Sequence, residues 1–257
     1  MMFKPRIIGF VCNWSLPLGM EPEGPSGLKG SPKMHIVRVM CAGRLDPVTV
    51  LETFAKGADG ILIVGCPSPD CHYVEGNLQA ENKVTMLKKL LSLTGIKPER
   101  LRLDWAYASE IQPFAKIVDS FRNQIIALGP SPLAGKKQDR QALLNLLAAK
   151  EAAADFRLRV LTGREEELTE ARNVYGEAIP QGEYDKLLDE IVKEEYIRHK
   201  IHLLTKQNPR SVKELAVAVN EKPAHVLCHI VDMRRKGMIA LDHTEENTPL
   251  YKALEVQ

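Results

Sequence analysis

The chain lacks the signatures of a self-contained nucleotide-dependent or nucleophilic enzyme, since neither Gly-x-Gly-x-x-Gly nor Gly-x-Ser-x-Gly occurs in its 257 residues. It also lacks an excess of either charge. Its 35 Lys and Arg face 33 Asp and Glu, a balance that gives no electrostatic reason to expect nucleic acid or an anionic membrane as the main partner. No apolar window approaches the length of a membrane span. Met1 to Arg6 leads straight into a short strand-like run interrupted by Gly9, Asn13 and Trp14, which does not resemble a secretion signal. Low-complexity tracts and solenoid periods are missing too. The expectation from these absences is a soluble cytoplasmic protein in a reducing compartment, where clustered cysteines signal metal or redox chemistry more often than structural disulfides.

What is present begins with cysteine. Three apolar runs read as β-strands and end at or beside a cysteine: Pro5 to Cys12, His35 to Cys41 and Gly60 to Cys66, with Cys71 in the loop after the third. A parallel sheet would bring these four to one rim, and open α/β sheets bind ligands outside the carboxyl ends of their strands. The hydrophobic fraction of 44% suffices for one large domain or two ordinary ones.

From Pro5 to about Gly129 strands and helices alternate, which predicts an α/β fold: an open parallel sheet of about four strands with crossover helices. Asp46 reads as an N-cap and Pro47 as the first residue of a helix stopped at Gly57. Asn77 to Leu93 carries Leu78, Val84, Leu87, Leu90 and Leu91 at helical spacing. Leu101 to Ala106 is the fourth strand, followed by a helix to Leu128 that the Gly129-Pro130-Ser131-Pro132 run ends. Asn13 to Lys33 is rich in Pro and Gly and cannot be a regular helix.

Residues 131–183 read as an α-helical connector, with a helix from Gln138 to Ala154 and a looser charged piece from Thr162 to Gly182. The last portion, residues 184–257, predicts a long helix from Tyr184 to Lys206, a capping box at Ser211 and Glu214 opening a short helix, a third helix from Pro223 to Lys236, and a hairpin around Asp242 to Thr248. That order is winged-helix-like. Residues 1–130 are then an iron–sulfur or metal domain, and residues 184–257 a docking module.

Thiolates are soft ligands that suit zinc, copper(I) and iron–sulfur clusters, and four from one pocket match either tetrahedral zinc or a [2Fe–2S] cluster. Spacing alone does not choose between them. The bland alternative is that the cysteines are small buried hydrophobes.

Gly9-Phe10-Val11-Cys12-Asn13-Trp14, Arg38 to Pro47, Gly57-Ala58-Asp59-Gly60, Gly65-Cys66 and Asp70 to Asn77 recur in one family, as do Pro98 to Leu103 and Ala108-Ser109-Glu110. Over about residues 5–129 the chain resembles the delta subunit of methyl-viologen-reducing hydrogenase, an iron–sulfur protein. The resemblance implies a [2Fe–2S] cluster with Cys12, Cys41, Cys66 and Cys71 as ligand candidates. It also implies electron relay between a catalytic oxidoreductase, such as a hydrogenase or formate dehydrogenase, and a heterodisulfide-reductase-like subunit carrying flavin and iron–sulfur clusters. The chain departs from the family pattern at Ser15, where Cys-Asn-Trp-Cys is usual, and in the Pro67-Ser68-Pro69-Asp70 loop.

Among other residues, Trp14 and Trp105 could shield the site or simply pack. His72 reads as a loop histidine rather than a Rieske-type ligand. Arg38 and Arg44 flank Cys41 and read as solvated arginines or as charges toward a centre or an acidic partner. Cys228 reads as packing on its helix. Two rival functions are a redox-sensing winged-helix DNA-binding regulator and a zinc-stabilised protein of structural assembly. The sole basic cluster of the tail, Arg234-Arg235-Lys236, is weak support for DNA.

Overall fold

A computed structural model describes residues 3–15, 34–109, 111–135, 138–170 and 176–254. Four parallel strands form the main sheet, β1 (Ile7–Cys12), β2 (His35–Val39), β3 (Gly60–Gly65) and β4 (Leu101–Trp105), in the spatial order β2-β1-β3-β4. The predicted parallel α/β architecture is therefore present. Most of the Pro/Gly-rich stretch between β1 and β2, residues 16–33, lies outside the described residues.

Period-two alternation assigns the faces of the sheet. Ile7 and Val11 of β1 and Leu62 and Val64 of β3 pack against Phe114, Val118, Phe121 and Ile125 of helix α3 (Ile111–Leu128). Phe10 and Cys12 of β1, with Ile61 and Ile63 of β3, face the opposite core, built on α1 (Pro47–Ala55) and α2 (Gly76–Ser92). Asp46 caps α1 as predicted, its carboxylate accepting from the Val48 N–H at 2.9 Å, with Pro47 as the first helical residue.

The connector is more helical than its charge pattern suggests. After α4 (Arg140–Ala154) come α5 (Phe156–Gly163) and the short α6 (Glu165–Thr169). The looser piece expected from Thr162 to Gly182 holds the end of α5 and all of α6, with residues 177–180 non-helical; Asp155 caps α5, accepting from the Arg157 N–H at 2.8 Å, and α5, with Leu158 and Leu161 buried, packs on the long α7 (Gln181–Gln207). Ala148, Ala149, Ala152 and Ala153 of α4 are fully buried, and this small-residue face lets α4 sit close to α1 and α7.

The tail continues with β5 (Arg210–Ser211), α8 (Val212–Val219), α9 (Pro223–Arg235), β6 (Ile239–Glu245) and β7 (Thr248–Ala253), the strands forming a small antiparallel sheet in the order β5-β7-β6. The capping box at α8 is present, with both Ser211 and Glu214 engaged. The hairpin is tighter than predicted. Its turn is Glu246-Asn247, both at positive φ (43° and 64°), the geometry of a two-residue type I′ connection.

His202 of α7 is buried against the chain end, its Nε2 lying 3.3 Å from the Leu254 carbonyl oxygen. Burial holds its pKa below the usual histidine value, outweighing the hydrogen bond to Leu254. A base depressed in the fold contributes stability that is complete above its unfolded pKa and is lost as pH falls toward the folded value. Urea midpoints should therefore drop as pH is lowered below about 6.5, and His202→Gln should flatten that dependence; an unchanged slope in the variant would show that another group controls it.

Candidate metal centre

The order β2-β1-β3-β4 has its topological switch point between β1 and β3, because the chain leaves β1 toward one side and returns to the other. Cys12 is the last residue of β1, and Cys66 directly follows β3. Their Sγ atoms stand 3.8 Å apart across that crevice. Two thiolates about 2.3 Å from one tetrahedral metal are separated by about the same distance. Ser15 lies in the same pocket, fully buried, and its hydroxyl donates to Cys66 Sγ at 3.4 Å. Thus the residue at the family's second cysteine position points at the sulfur site and contributes a hydrogen bond.

Cys41 and Cys71 come together at a second point, the start of α2, and no three of the four sulfurs lie within 4.8 Å of one another. Cys41 stands beyond the end of β2 and opens the 3-10 turn Ala42–Arg44, closed by the Arg44 N–H donating to the Cys41 carbonyl at 3.1 Å. Cys71 lies in the loop after β3, where Val74 adopts φ 64° to fold the chain back on α2. That conformation is costly for a β-branched residue and persists only where surrounding structure imposes it. Both sulfurs meet at Gly76, the first residue of α2: a Cβ there would lie 2.5 Å from Cys41 Sγ and 3.2 Å from Cys71 Sγ. Gly43 in turn is seated on the Gly76 carbonyl, leaving no room for a side chain. Only glycine permits these close approaches. Gly76→Ala should cost the site its metal while leaving far-UV circular dichroism unchanged, and iron retained at the wild-type level in that variant would remove this pair from the centre.

All four cysteines are buried and none is in a disulfide. Burial, reinforced by the neighbouring Cys66, pushes the Cys12 thiol up to about 11, so charge-compensating coordination is what would hold Cys12 as a thiolate. Small residues, Ala42, Gly43, Gly65 and Gly76, line the surroundings, and the Trp105 ring covers Gly65. A donor set of four buried sulfurs in two pairs, walled by residues without bulk, fits an iron–sulfur centre. By contrast, the group of three ligating atoms found within 4.8 Å of one another among the described residues is Asp155, Glu195 and His199. Arg198 and Arg157 already occupy Glu195, at 2.5 and 3.1 Å, which makes that trio an ion-pair network.

The other predicted residues divide. Trp14 and His72 stack face to face with centroids 3.6 Å apart, joining the loops after β1 and β3 outside the sulfurs, and both are exposed. His72 is therefore a loop residue. Arg38 and Arg44 are exposed, and Arg38 Nε donates to Asn13 Oδ1 at 3.3 Å. Cys228 is exposed, which corrects the reading that it packs inward: Val226 and Ile230 take the buried face of α9. Lys83 escaped the sequence reading. It is half-buried on α2 and donates to the Gly43 carbonyl at 2.5 Å; its position seven residues after Gly76 gives no signal by itself.

Comparison with known proteins adds three relatives and a family. The vhc iron–sulfur subunit of F420-non-reducing hydrogenase from Methanococcus voltae is 39% identical over 131 residues, 51% of this chain and 91% of the relative. The corresponding iron–sulfur subunit of F420-non-reducing hydrogenase from Archaeoglobus profundus is 39% identical over 128 residues, 50% of this chain and 93% of the relative. A Ferredoxin/F(420)H(2)-dependent CoB-CoM heterodisulfide reductase subunit from Methanosarcina acetivorans is 34% identical over 126 residues, 49% of this chain but 16% of that longer protein. The family described as methyl-viologen-reducing hydrogenase, delta subunit, matches residues 7–129, the span that holds both sulfur pairs. On this agreement of span, cysteines and relatives, the chain belongs to that delta-subunit family.

Proposed function

We propose that the chain is a non-catalytic electron-transfer subunit that holds one [2Fe–2S] cluster through Cys12, Cys41, Cys66 and Cys71. The carrying observation is the arrangement of the sulfurs as two pairs, Cys12 with Cys66 across the β1/β3 crevice and Cys41 with Cys71 around Gly76. A centre with two metals needs two ligand pairs, whereas a single zinc needs all four at one point. When bound, the cluster would supply reversible one-electron chemistry. The protein's own residues keep it dry and positioned: buried walls exclude water, Ser15 donates to Cys66, and the Trp14–His72 stack lies outside the pocket.

The partners proposed are a catalytic oxidoreductase on one side and a heterodisulfide-reductase-like subunit with flavin and clusters on the other. The relative from Methanosarcina acetivorans supports the second, since there a matching domain is part of a longer heterodisulfide reductase chain. Residues 1–130 carry the centre, residues 131–183 connect, and residues 184–257 form a winged-helix-like module that docks protein. Its wing carries Asp242, Glu245 and Glu246, acidic side chains that oppose a DNA backbone. Among the described residues no helix is long and apolar enough to cross a membrane. Anaerobically purified protein should contain equal iron and acid-labile sulfide and show visible absorption that dithionite bleaches; colourless protein holding zinc would reject the proposal.

A further inference from the structure

Lys83 brings a cation to the Cys41 side of the centre. Its Nζ donates to the Gly43 carbonyl at 2.5 Å, two residues from Cys41, and Gly43 is itself packed on Gly76, where the Cys41 and Cys71 sulfurs meet. Lys83 is thus tied to the turn that packs on the start of α2, where the two sulfurs lie. A cleft of about 250 Å³ beside it is lined by Arg44, Asp46, Lys83 and Arg159. Asp46, the one acid there, is taken by Arg159 Nη2 at 2.9 and 3.1 Å to its two oxygens. Arg44 points to solvent. The ammonium of Lys83 is therefore the half-buried cation of this cleft without a carboxylate hydrogen-bonded to it; burial lowers its pKa, and the charge of Asp46 opposes that shift. Among the described residues the Cys12–Cys66 end has no such cation in contact; its hydrogen bond comes from the Ser15 hydroxyl.

We propose that Lys83 is a positioning residue that sets the reduction potential of the centre, its fixed positive charge favouring the form that has gained one electron. The inference rests on the iron–sulfur reading above. Reduction adds one negative charge to a buried, weakly screened site, and a cation held next to that site stabilises the added charge. Lys83 also holds the Cys41 loop through its hydrogen bond, so the test must separate charge from hydrogen bond. Glutamine keeps an N–H donor and removes the charge; arginine keeps both.

Potentials are to be read by dithionite titration of the visible absorption in the full chain, with iron and sulfide measured in each sample. Lys83→Gln should make reduction about tenfold less favourable, a fall of about 59 mV for one electron, with iron content unchanged. Lys83→Arg should remain near wild type. Lys89→Met, on the same helix but paired with Asp189, should not shift the potential. An iron-replete Lys83→Gln protein at the wild-type potential overturns this inference alone, as does Lys83→Gln losing iron that Lys83→Arg keeps, which would make Lys83 only a holder of the loop. A wild-type chain without iron overturns the reading beneath it, and this inference with it.

Discussion

Cys66→Ala is expected to lower bound iron at least about tenfold and to abolish the visible absorption, while far-UV circular dichroism stays as in the wild type. Cys66 is one member of the 3.8 Å pair, and its loss leaves Cys12 opposite Ser15, whose oxygen is a far weaker iron ligand than thiolate. The strand beneath survives because Ile61 to Val64 of β3 are buried on both faces and do not depend on the sulfur. The thiol itself contributes to packing only as a small hydrophobe, so the cost to the iron-free fold should be about 1–2 kcal/mol at most. Cys228→Ala, at an exposed thiol on α9, should change neither iron nor absorption. Full iron in Cys66→Ala would exclude Cys66 from the centre and break the pairing on which the functional reading stands.

The second large effect is expected at the opposite rim of the sheet. Arg100 is buried, and its guanidinium donates to four carbonyl oxygens: Asp59 at 2.9 Å, Gly129 at 3.0 Å, Pro130 at 3.1 Å and Leu128 at 3.3 Å. Burial lowers its pKa, and the neighbouring Asp59 opposes that shift. The Asp59 carboxylate accepts from the Arg6 N–H and the Ser131 N–H, both at 2.8 Å, so two buried side chains, each bonded to backbone, tie the entry to β1, the entry to β3 and the turn after α3. Arg100→Met would leave four backbone acceptors without their guanidinium donor. A loss of about 1–3 kcal/mol is expected in denaturant unfolding, with iron per folded chain unchanged because the sulfurs lie at the other end of the strands. Asp59→Asn and Arg100→Met should be less than additive in combination. A loss below about 1 kcal/mol for Arg100→Met would mean that the latch is relaxed by water or by movement of the turn.

Much of this arrangement was legible in the residues. The apolar runs ending in cysteine specify strands whose carboxyl ends share a rim, and Asp46-Pro47 and Ser211 with Glu214 mark helix starts by local hydrogen bonding alone, so these survive folding intact. The pairing of the sulfurs was not legible: it depends on the strand order, which places β1 beside β3, and on the Gly43–Gly76 contact between segments more than thirty residues apart. Helix α5 was missed because Phe156 to Gly163 has little amphipathic pattern, and its Asp155 cap and its packing on α7 determine it. Cys228 was misjudged because its helical neighbours Val226, Leu227, Ile230 and Val231 are apolar on more than one face; burial selects Val226 and Ile230 and leaves Leu227 and Val231 exposed with the thiol. Lys83 could not be found from spacing, since what distinguishes it is a carbonyl forty residues away.

The position of the iron tests the paired-sulfur centre most directly. An anomalous-difference map collected at the iron edge from anaerobically grown crystals should show two iron positions, one beside Cys12 and Cys66 and the other beside Cys41 and Cys71. A single peak, or signal at the zinc edge alone, would contradict it.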